Sequence, residues 1–280
     1  MGNGLQATKR RMRSIESTKK ITRAMELVAT VKLKTWKDLM EENLMYTSYM
    51  ISLMQDVFSR VDSIDSPYLK ENEAQKDLYI LVTSTLGLCA GYNYNMLKFA
   101  DQRIKENDDI IVIGQKGYYH YRHQKDHLIT DFIDAGAHLE ERAIHQLSTL
   151  IESEFLKGKY RKVTLLYTHY VNSLTFVPEE ITLFPLHMKK EGNEEHKDIL
   201  MEPSPKEILL SLIPLYVRSV LHGKLLEALV SEQASRRTAM ENATDNADEI
   251  YQKLQLDYNK ERQASITQEI TEVVGGSIKK

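Results

Sequence analysis

The sequence predicts an α+β fold: the two chain ends form a long antiparallel coiled coil, and the middle forms an inserted Rossmann-like α/β domain. Neither Pro nor Gly occurs from Leu5 to Ser66, and from Lys206 to Val274 the helix breakers are limited to Pro214 and Gly223. Both ends therefore favour long helices. Between them, apolar runs alternate with helical segments, as in an α/β layer. The predicted domains are residues 1–60, 61–205 and 206–280.

Composition limits the class of protein. The chain has 280 residues, 42% of them hydrophobic, and a formal net charge of -3, so no global basic field indicates a nucleic-acid partner. The single cysteine, Cys89, excludes an intramolecular disulfide and fits a reducing compartment. The start lacks the apolar core of a signal peptide, and the apolar run 208–217 is too short to span a bilayer. We expect a soluble protein that reaches a membrane only through partners.

The first predicted helix covers residues 8–58 and is about 75 Å long, and the terminal helix is about 100 Å long. Spacings of three and four residues predict one contact stripe on each. On the first helix the stripe contains Ile15, Ile21, Met25, Val28, Trp36, Met40 and Met50. On the terminal helix it contains Leu225, Leu229, Ala239, Ala243, Ala247, Ile250, Leu254 and Tyr258. Each helix is the obvious partner of the other, and the Met and Ala content predicts an irregular coil.

The middle of the chain predicts a largely parallel sheet. Buried strands are expected at 78–83, 109–114 and 163–168, and a further strand at 174–186, with helices near 92–106 and 137–157. A polar linker at 59–76 precedes this region, and a polar loop at 189–197 follows it. Pro214 is expected either to kink the terminal helix or to mark its true start.

A basic cluster opens the first helix. Its members are Lys9, Arg10, Arg11, Arg13, Lys19, Lys20, Arg23, Lys32, Lys34 and Lys37, opposed by Glu16 and Glu26. Such a run is typical of a solvated helix face, and it also suits an acidic protein partner or a phosphate backbone. Few aromatic residues precede Trp36, and the chain is acidic overall, so nucleic acid is the weaker of the two partners.

An α/β insert can carry an enzyme, but the sequence lacks the usual catalytic motifs. The G-x-x-x-x-G-K-[ST] phosphate loop does not occur, and the turn from Gly87 to Gly91 lacks the G-x-G-x-x-G spacing. Cys89 in that turn is interpreted as a buried structural thiol. His120, His123 and His127 would hold a metal only if helical, and surface histidines are the favoured interpretation. We therefore predict no catalytic, cofactor or metal site.

Specific sequence blocks carry a family resemblance. They are 20–29 (KITRAMELVA), 231–236 (SEQASR), 239–240, 243–247 (ATDNA) and 266–276, with weaker matches at 87–89, 91–93 and 202–205. The chain resembles the gamma subunits of F-type ATP synthases over essentially its whole length. The resemblance implies a non-catalytic central stalk that stands inside a hexamer of alpha and beta subunits and couples ATP synthesis or hydrolysis to rotation and proton or other ion transport.

The resemblance also implies partner sites. Contacts with the acidic loops of the beta subunits are expected at Lys19, Lys20, Arg23, Met25, Arg236, Gln263, Thr267 and Glu269. Contacts with the epsilon subunit or the membrane c-ring are expected at Gly87, Leu88, Cys89, Tyr92 and Asn93. ATP, ADP and Mg would be bound by the partner subunits, and the complex would lie at the cytoplasmic face of the cell membrane.

Departures from the family leave alternatives open. The family commonly has Asp-Arg where Thr85 and Leu86 stand, and Gly where Ala90 stands. A stalk driving something other than a c-ring therefore stays open. So do a coiled-coil adaptor with a ligand-binding insert and an enzyme that uses the insert. Neither the direction of operation nor the choice of proton or sodium follows from the residues.

Overall fold

A computed structural model describes residues 2–61, 66–124, 127–187 and 201–277. Its helices are α1 (Gly2–Ser59), α2 (Tyr92–Asp101), α3 (Gln115–Tyr121), α4 (Ala135–His138), α5 (Glu141–Leu156) and α6 (Pro205–Ser277), with a 3-10 turn at Pro67–Leu69. Its strands are β1 (Leu78–Val82), β2 (Asp109–Ile113), β3 (Leu128–Ile129), β4 (Val163–Tyr170) and β5 (Phe176–Phe184). The predicted polar loop at 189–197, and residues 62–65 of the predicted linker, lie outside the described residues.

The chain divides into two compact units. Met1–Thr30 and Arg236–Lys280 make up the terminal unit, and Val31–Ser235 makes up the α/β unit. The long helices α1 and α6 each supply a segment to both units. The predicted domain boundaries follow the ends of the helices instead of these units, and that division stays a prediction.

In the terminal unit, α1 and α6 pair in antiparallel orientation. Thr22 and Thr244 share a buried hydrogen bond of 2.8 Å between their hydroxyl oxygens. The ammonium of Lys19 forms an ion pair with the carboxylate of Asp248, and the hydroxyl of Thr8 lies 3.4 Å from a carboxylate oxygen of Glu261. Residue numbers therefore rise along one helix as they fall along the other, which confirms the antiparallel coil.

The buried stripe of α1 is more regular than predicted. One row of buried or half-buried positions alternates by three and four residues: Leu5, Thr8, Met12, Ile15, Lys19, Thr22, Glu26, Ala29, Leu33, Trp36, Met40, Asn43, Thr47, Met50, Met54 and Val57. Ala7, Met25, Asp56, Phe58 and Ser59 are half-buried outside this row. This is the spacing of a heptad seam, although several of its members are polar. The assignment of Ile21 and Val28 to the seam is wrong, because these side chains are 58% and 57% exposed.

The seam of α6 also differs from the prediction at one position. Its buried or half-buried positions in the terminal unit include Met240, Thr244, Ala247, Tyr251, Leu254 and Tyr258. Ile250 is 46% exposed, so its predicted place in the seam is wrong. The helix begins at Pro205, where a proline is tolerated in the first turn, and continues through Pro214. Pro214 therefore does not mark the start of the helix, and Gly275 and Gly276 do not end it before Ser277.

The α/β unit contains a five-stranded sheet in the order β3-β2-β1-β4-β5. Strands β1, β2, β3 and β4 pair in parallel, and β5 pairs antiparallel to β4. The largely parallel sheet is confirmed. The four predicted strands lie within two residues of their predicted bounds. For β1, β2 and β4 the signal was the near-continuous apolar run typical of strands buried on both faces.

Helices cover both faces of this sheet. Ile80 and Val82 point into a large core shared with α5 and α6, whereas Tyr79 and Leu81 point into a smaller core with α2. The sequence analysis missed α3 and β3. Helix α3 is short and rich in Tyr and His, which are weak helix formers, so its conformation depends on the burial of Gly117 and Tyr121.

The apolar composition of α6 has a structural explanation. One 18-residue window of this helix, with a mean hydropathy of 1.3, is long and apolar enough to cross a membrane by length and composition alone. Within the α/β unit, however, α6 buries Leu209, Ile213, Val217, Leu221 and Leu225 in the large core. Packing against the sheet accounts for these apolar residues.

We expect Gly114→Ala to destabilise the α/β unit much more than Gly158→Ala. Both glycines have positive φ angles, +92° and +72°, so either alanine is strained by about 1 kcal/mol. At Gly114 a Cβ atom would also lie 2.1 Å from the carbonyl oxygen of Thr83, whereas at Gly158 it would meet no atom within 4 Å. The total loss at Gly114 should exceed about 3 kcal/mol. Urea unfolding of both variants tests this, and equal losses would contradict it.

Candidate partner-binding surfaces

The basic residues of α1 point in two directions. The side chains of Lys20 and Arg23 are exposed and are tethered by ion pairs with Glu16 (3.0 Å) and Glu26 (2.9 Å) on the same helix. Lys19 instead lies in the seam and pairs with Asp248 of α6. Exposed ion pairs of this kind contribute little to stability, so Lys20 and Arg23 are available to an acidic partner.

An apolar surface accompanies these charges. Ile21, Leu27 and Val28 are all more than half exposed, and Met25 beside them is half-buried. Sequence reasoning missed this surface because it placed Ile21 and Val28 in the seam. No sequence signal reveals it, because the seam at this level runs through the polar residues Lys19, Thr22 and Glu26 and leaves the neighbouring apolar residues outside.

The predicted contact residues of α6 lie at separate levels. Arg236 is buried, whereas Gln263, Thr267 and Glu269 are exposed. Arg236 and Gln263 are about 40 Å apart along the helix at a rise of 1.5 Å per residue. The pairing of Lys19 with Asp248 and of Thr22 with Thr244 places the basic residues of α1 between these levels. The structure therefore does not bring the predicted residues together into one site.

A strained loop follows β1 in the α/β unit. Leu88 and Ala90 have positive φ angles of 62° and 44°, which is unusual for residues other than glycine. The amide of Asn93 donates to the hydroxyl oxygen of Ser84 (2.7 Å) and to the sulfur of Cys89 (3.1 Å), and the hydroxyl of Ser84 donates to the carbonyl of Leu86 (2.6 Å). These bonds hold the backbone in its strained conformation.

The residues predicted to contact the epsilon subunit or the c-ring differ in their exposure within this loop. Cys89 and Tyr92 are buried, and Asn93 is occupied in holding the loop. Leu88 is 61% exposed, and Leu86, which sequence reasoning did not select, is 67% exposed. A partner that docks at this loop would therefore touch leucine side chains and not the thiol.

Helix α6 fills the crevice where sheets of this type usually bind ligands. The strand order changes direction between β1 and β4, and ligands of open α/β sheets bind at the carboxyl ends of strands at such a switch point. Here the hydroxyl of Ser235 donates to the carbonyl of Cys89 (2.7 Å), and that of Ser231 donates to the carbonyl of Thr168 (3.2 Å). The hydroxyl of Tyr92 donates to the carbonyl of Ala228 (3.2 Å). The crevice is thus closed by the chain itself.

The histidines do not share a helical face. Helix α3 ends at Tyr121, so His123 and His127 lie beyond it, and His120 bonds to the carboxylate of Asp101 at 3.0 Å. Within the described part of the chain, no group of three or more His, Cys, Asp or Glu side chains could hold a metal ion. A cleft of about 410 Å³ lies elsewhere in the α/β unit, with Met40, Leu44 and Val220 on its apolar wall and Lys224 and Glu227 at its polar part.

His222 is a titratable group within the coil of the α/β unit. Its ring lies 3.4 Å from the amide of Asn43 on α1. Burial lowers the pKa of His222 below its usual value of 6.5, and the negative charge of Glu141 on α5 acts in the opposite direction. One turn away, the hydroxyls of Thr47 and Ser219 lie 2.5 Å apart, so this part of the seam is polar.

Known proteins match the chain along its length. A family model described as ATP synthase matches residues 4–278. The ATP synthase gamma chain of Mycoplasma capricolum is 36% identical over 276 residues, which cover 98% of both chains. The sodium-ion-specific ATP synthase gamma chain of Acetobacterium woodii is 34% identical over 298 residues, covering 99% of both.

Solved structures show the same fold at lower identity. A chain in the mitochondrial ATP synthase of Euglena gracilis, solved with OSCP, F1 and c-ring, matches with a TM-score of 0.66, 15% identity and coverage of 99% of this chain and 95% of that one. A chain in the central stalk and c-ring of the Tetrahymena thermophila mitochondrial ATP synthase matches with a TM-score of 0.57, 21% identity and coverage of 80% and 99%.

We expect His222→Gln to reduce the loss of stability on acidification. The folded-state pKa of His222 lies below its unfolded value, so below about pH 6.5 the unfolded chain binds a proton that the folded chain does not. Stability should therefore fall as pH drops from 7 through that value, and the variant should lose less. Urea unfolding of both proteins between about pH 7.5 and 5.5 measures this. The same pH slope in both proteins would contradict the assignment.

Proposed function

This chain belongs to the gamma-chain family of the ATP synthases, and we propose that it is the central stalk on which an alpha/beta hexamer couples ATP turnover to rotation. The observation that carries the proposal is the 36% identity to an ATP synthase gamma chain over 98% of both chains, and the ATP synthase family model matches residues 4–278. The antiparallel pairing of α1 with α6, and the α/β unit inserted between their sequences, agree with that role. The driven element is a membrane ring that transports protons or other ions.

The coupling follows from the asymmetry of a two-helix coil. A pair of antiparallel helices has no three-fold symmetry, so it presents a different surface to each of three beta subunits around it. A surface that binds one conformation of a subunit better than another shifts the equilibrium toward that conformation. Rotation of the coil moves this bias from one beta subunit to the next, and by linkage a change of nucleotide in a beta subunit drives the rotation.

The chain acts without catalytic groups of its own. The crevice at the carboxyl ends of β1 and β4, where an α/β enzyme would bind its ligand, is occupied by α6 through Ser231 and Ser235. ATP, ADP and Mg belong to the partner subunits. The cleft lined by Val220 and Lys224 is large enough for a small ligand, and its polar part is an ion pair between Lys224 and Glu227.

The beta-subunit contacts are proposed at two levels of the coil. Lys20 and Arg23, with the exposed apolar side chains around Met25, suit an acidic loop that carries apolar residues. Gln263, Thr267 and Glu269 form the second level near the end of α6. Charge-assisted hydrogen bonds contribute about 1.5–3 kcal/mol each, which is sufficient to bias a conformational equilibrium. The side chains of Lys19 and Arg236 face the interior of the terminal unit, and their proposed role is to hold the two exposed surfaces in position.

The contacts with the epsilon subunit or the c-ring are proposed at the loop after β1. Leu88 and Leu86 present apolar side chains to the epsilon subunit or to the c-ring, while Gly87, Cys89, Tyr92 and Asn93 shape the loop. The assembled complex is peripheral to a membrane, with this chain on the cytoplasmic face of the cell membrane. The alternative is a stalk of a specialised F-type-like ATPase that drives another process, and Thr85 and Leu86 in this loop are the residues that favour it.

Subunit capture tests the assignment directly. Affinity purification of this chain from native membranes should recover alpha, beta and epsilon subunits with a c-ring. The purified chain should hydrolyse no ATP, and it should restore cooperative ATP hydrolysis to mixed alpha and beta subunits. ATP turnover by the chain alone would favour an enzyme in the insert, and failure to restore the hexamer would favour an adaptor.

Met25→Lys should impair coupling without unfolding the chain. The added charge lies on the surface proposed to contact the beta subunits, so ATP-driven ion transport should fall several-fold relative to ATP hydrolysis while the thermal midpoint stays close to that of the unsubstituted chain. Thr35→Lys, which adds the same charge at an exposed position of α1, serves as the control. Normal coupling in Met25→Lys would remove Met25 from the proposed contact.

A further inference from the structure

A row of groups on one face of α6 is hydrogen-bonded to the carboxyl edge of the sheet. We call this row the α6 clamp: the carboxylate of Glu227, the carbonyl of the adjacent Ala228, and the hydroxyls of Ser231 and Ser235 about one and two turns further along. The carboxylate of Glu227 accepts from the backbone N–H of Tyr170 at 3.2 Å. The other members bond to Thr168 near the end of β4, to Tyr92 at the start of α2 and to Cys89 in the loop between β1 and α2.

Glu227 is the charged member of this row. It is 8% exposed, and its carboxylate also accepts from the ammonium of Lys224 (2.8 Å) and contacts the ring of His169. Lys224 in turn lies 4.8 Å from the centre of the Tyr167 ring on β4. A buried carboxylate is tolerated when it is paired and hydrogen-bonded in this way. Glu227 and Lys224, which stand about one turn apart on α6, therefore both contact β4.

Directional bonds and apolar packing resist different motions. Leu225, Leu226 and Leu229 of α6 are buried in the large core, and their burial opposes separation of the helix from the sheet. Because apolar contact is non-directional, it opposes a small rotation of the helix about its own axis less strongly. Hydrogen bonds weaken steeply when their angles change, so the α6 clamp is the part of the contact that fixes the rotational setting.

We infer that Glu227 is a positioning residue for rotary coupling: through the α6 clamp it keeps α6 and the sheet from twisting against each other under torque. The inference rests on the proposed function, because torque reaches α6 only if the coil turns within a hexamer. Without Glu227, the α/β unit is expected to follow the rotation of α6 through a more compliant joint. Substrate never touches this residue.

The test measures torsional compliance in the assembled complex of this chain with the alpha and beta subunits. The complex of this chain with alpha and beta subunits is immobilised through the hexamer, and a gold rod is attached at Glu106→Cys, an exposed position of the α/β unit. The natural cysteine, Cys89, is buried, so labelling is directed to the new thiol. The angular variance of the rod during catalytic pauses should rise in Glu227→Ala, because the variant loses the charge-assisted member of the clamp and with it part of the restoring force against twisting.

Two kinds of variant separate positioning from general stability. Glu227→Gln keeps an acceptor for the N–H of Tyr170 and should restore most of the stiffness that Glu227→Ala loses, whereas Glu42→Ala removes an exposed carboxylate of the same unit and should change nothing. ATP hydrolysis per assembled complex should stay unchanged in every variant. If Glu227→Ala does not fold, Ser231→Ala and Ser235→Ala each remove a single clamp hydroxyl and should raise the variance to a smaller extent.

The outcomes are distinguishable. An angular variance in Glu227→Ala equal to that of the unsubstituted complex, or unchanged variance in both serine variants, overturns the inference while leaving the proposed function intact. A fall in ATP hydrolysis that matches the fall in assembled complex, without any change in variance, assigns Glu227 a structural role and also overturns it. Failure of the unsubstituted chain to assemble with the hexamer removes the proposed function itself.

Discussion

The antiparallel pairing of α1 with α6 is the constraint on which the other features depend. Helices of this length have little stability in water unless one face is buried, so each end of the chain needs the other. Much of the seam is small or polar, as at Thr22, Ala29, Thr244 and Ala247, and such side chains allow close approach while burying little apolar area. The hydrogen bond between Thr22 and Thr244 helps to fix the register, because a buried polar layer is satisfied only when its members lie opposite each other.

Helix α6 also forms part of the core of the α/β unit. Its apolar residues, Leu221 and Leu225 among them, complete the core of the sheet, and its polar residues Ser231 and Ser235 bond to the sheet's carboxyl edge. An architecture that in other proteins leaves this edge open for a nucleotide here uses it to hold a helix. This use of the edge supports the proposal that the insert carries no catalytic site of its own.

The proposed partner surfaces differ in how far they could be predicted from the sequence. The exposed basic residues Lys20 and Arg23 could be recognised from the charge cluster, because Lys and Arg side chains on a long helix are rarely buried. Lys19 belongs to the same cluster and yet turns inward to Asp248. The assignment of Gln263 and Thr267 came from resemblance to a family, since two exposed polar residues on a helix carry no signal of their own.

The sequence by itself determined the two terminal helices, their pairing and three of the four parallel strands between them, because the absence of breakers and the apolar periods act locally. Only the tertiary structure decided which side of each helix faces its neighbour. Ile21 and Val28 are apolar and exposed, whereas Thr22 and Glu26 are polar and lie in the seam, since the position of the partner helix selects every third and fourth residue whatever its chemistry. The closure of the sheet's crevice by Ser231 and Ser235 could not be predicted from the sequence either, because it joins residues far apart in the chain.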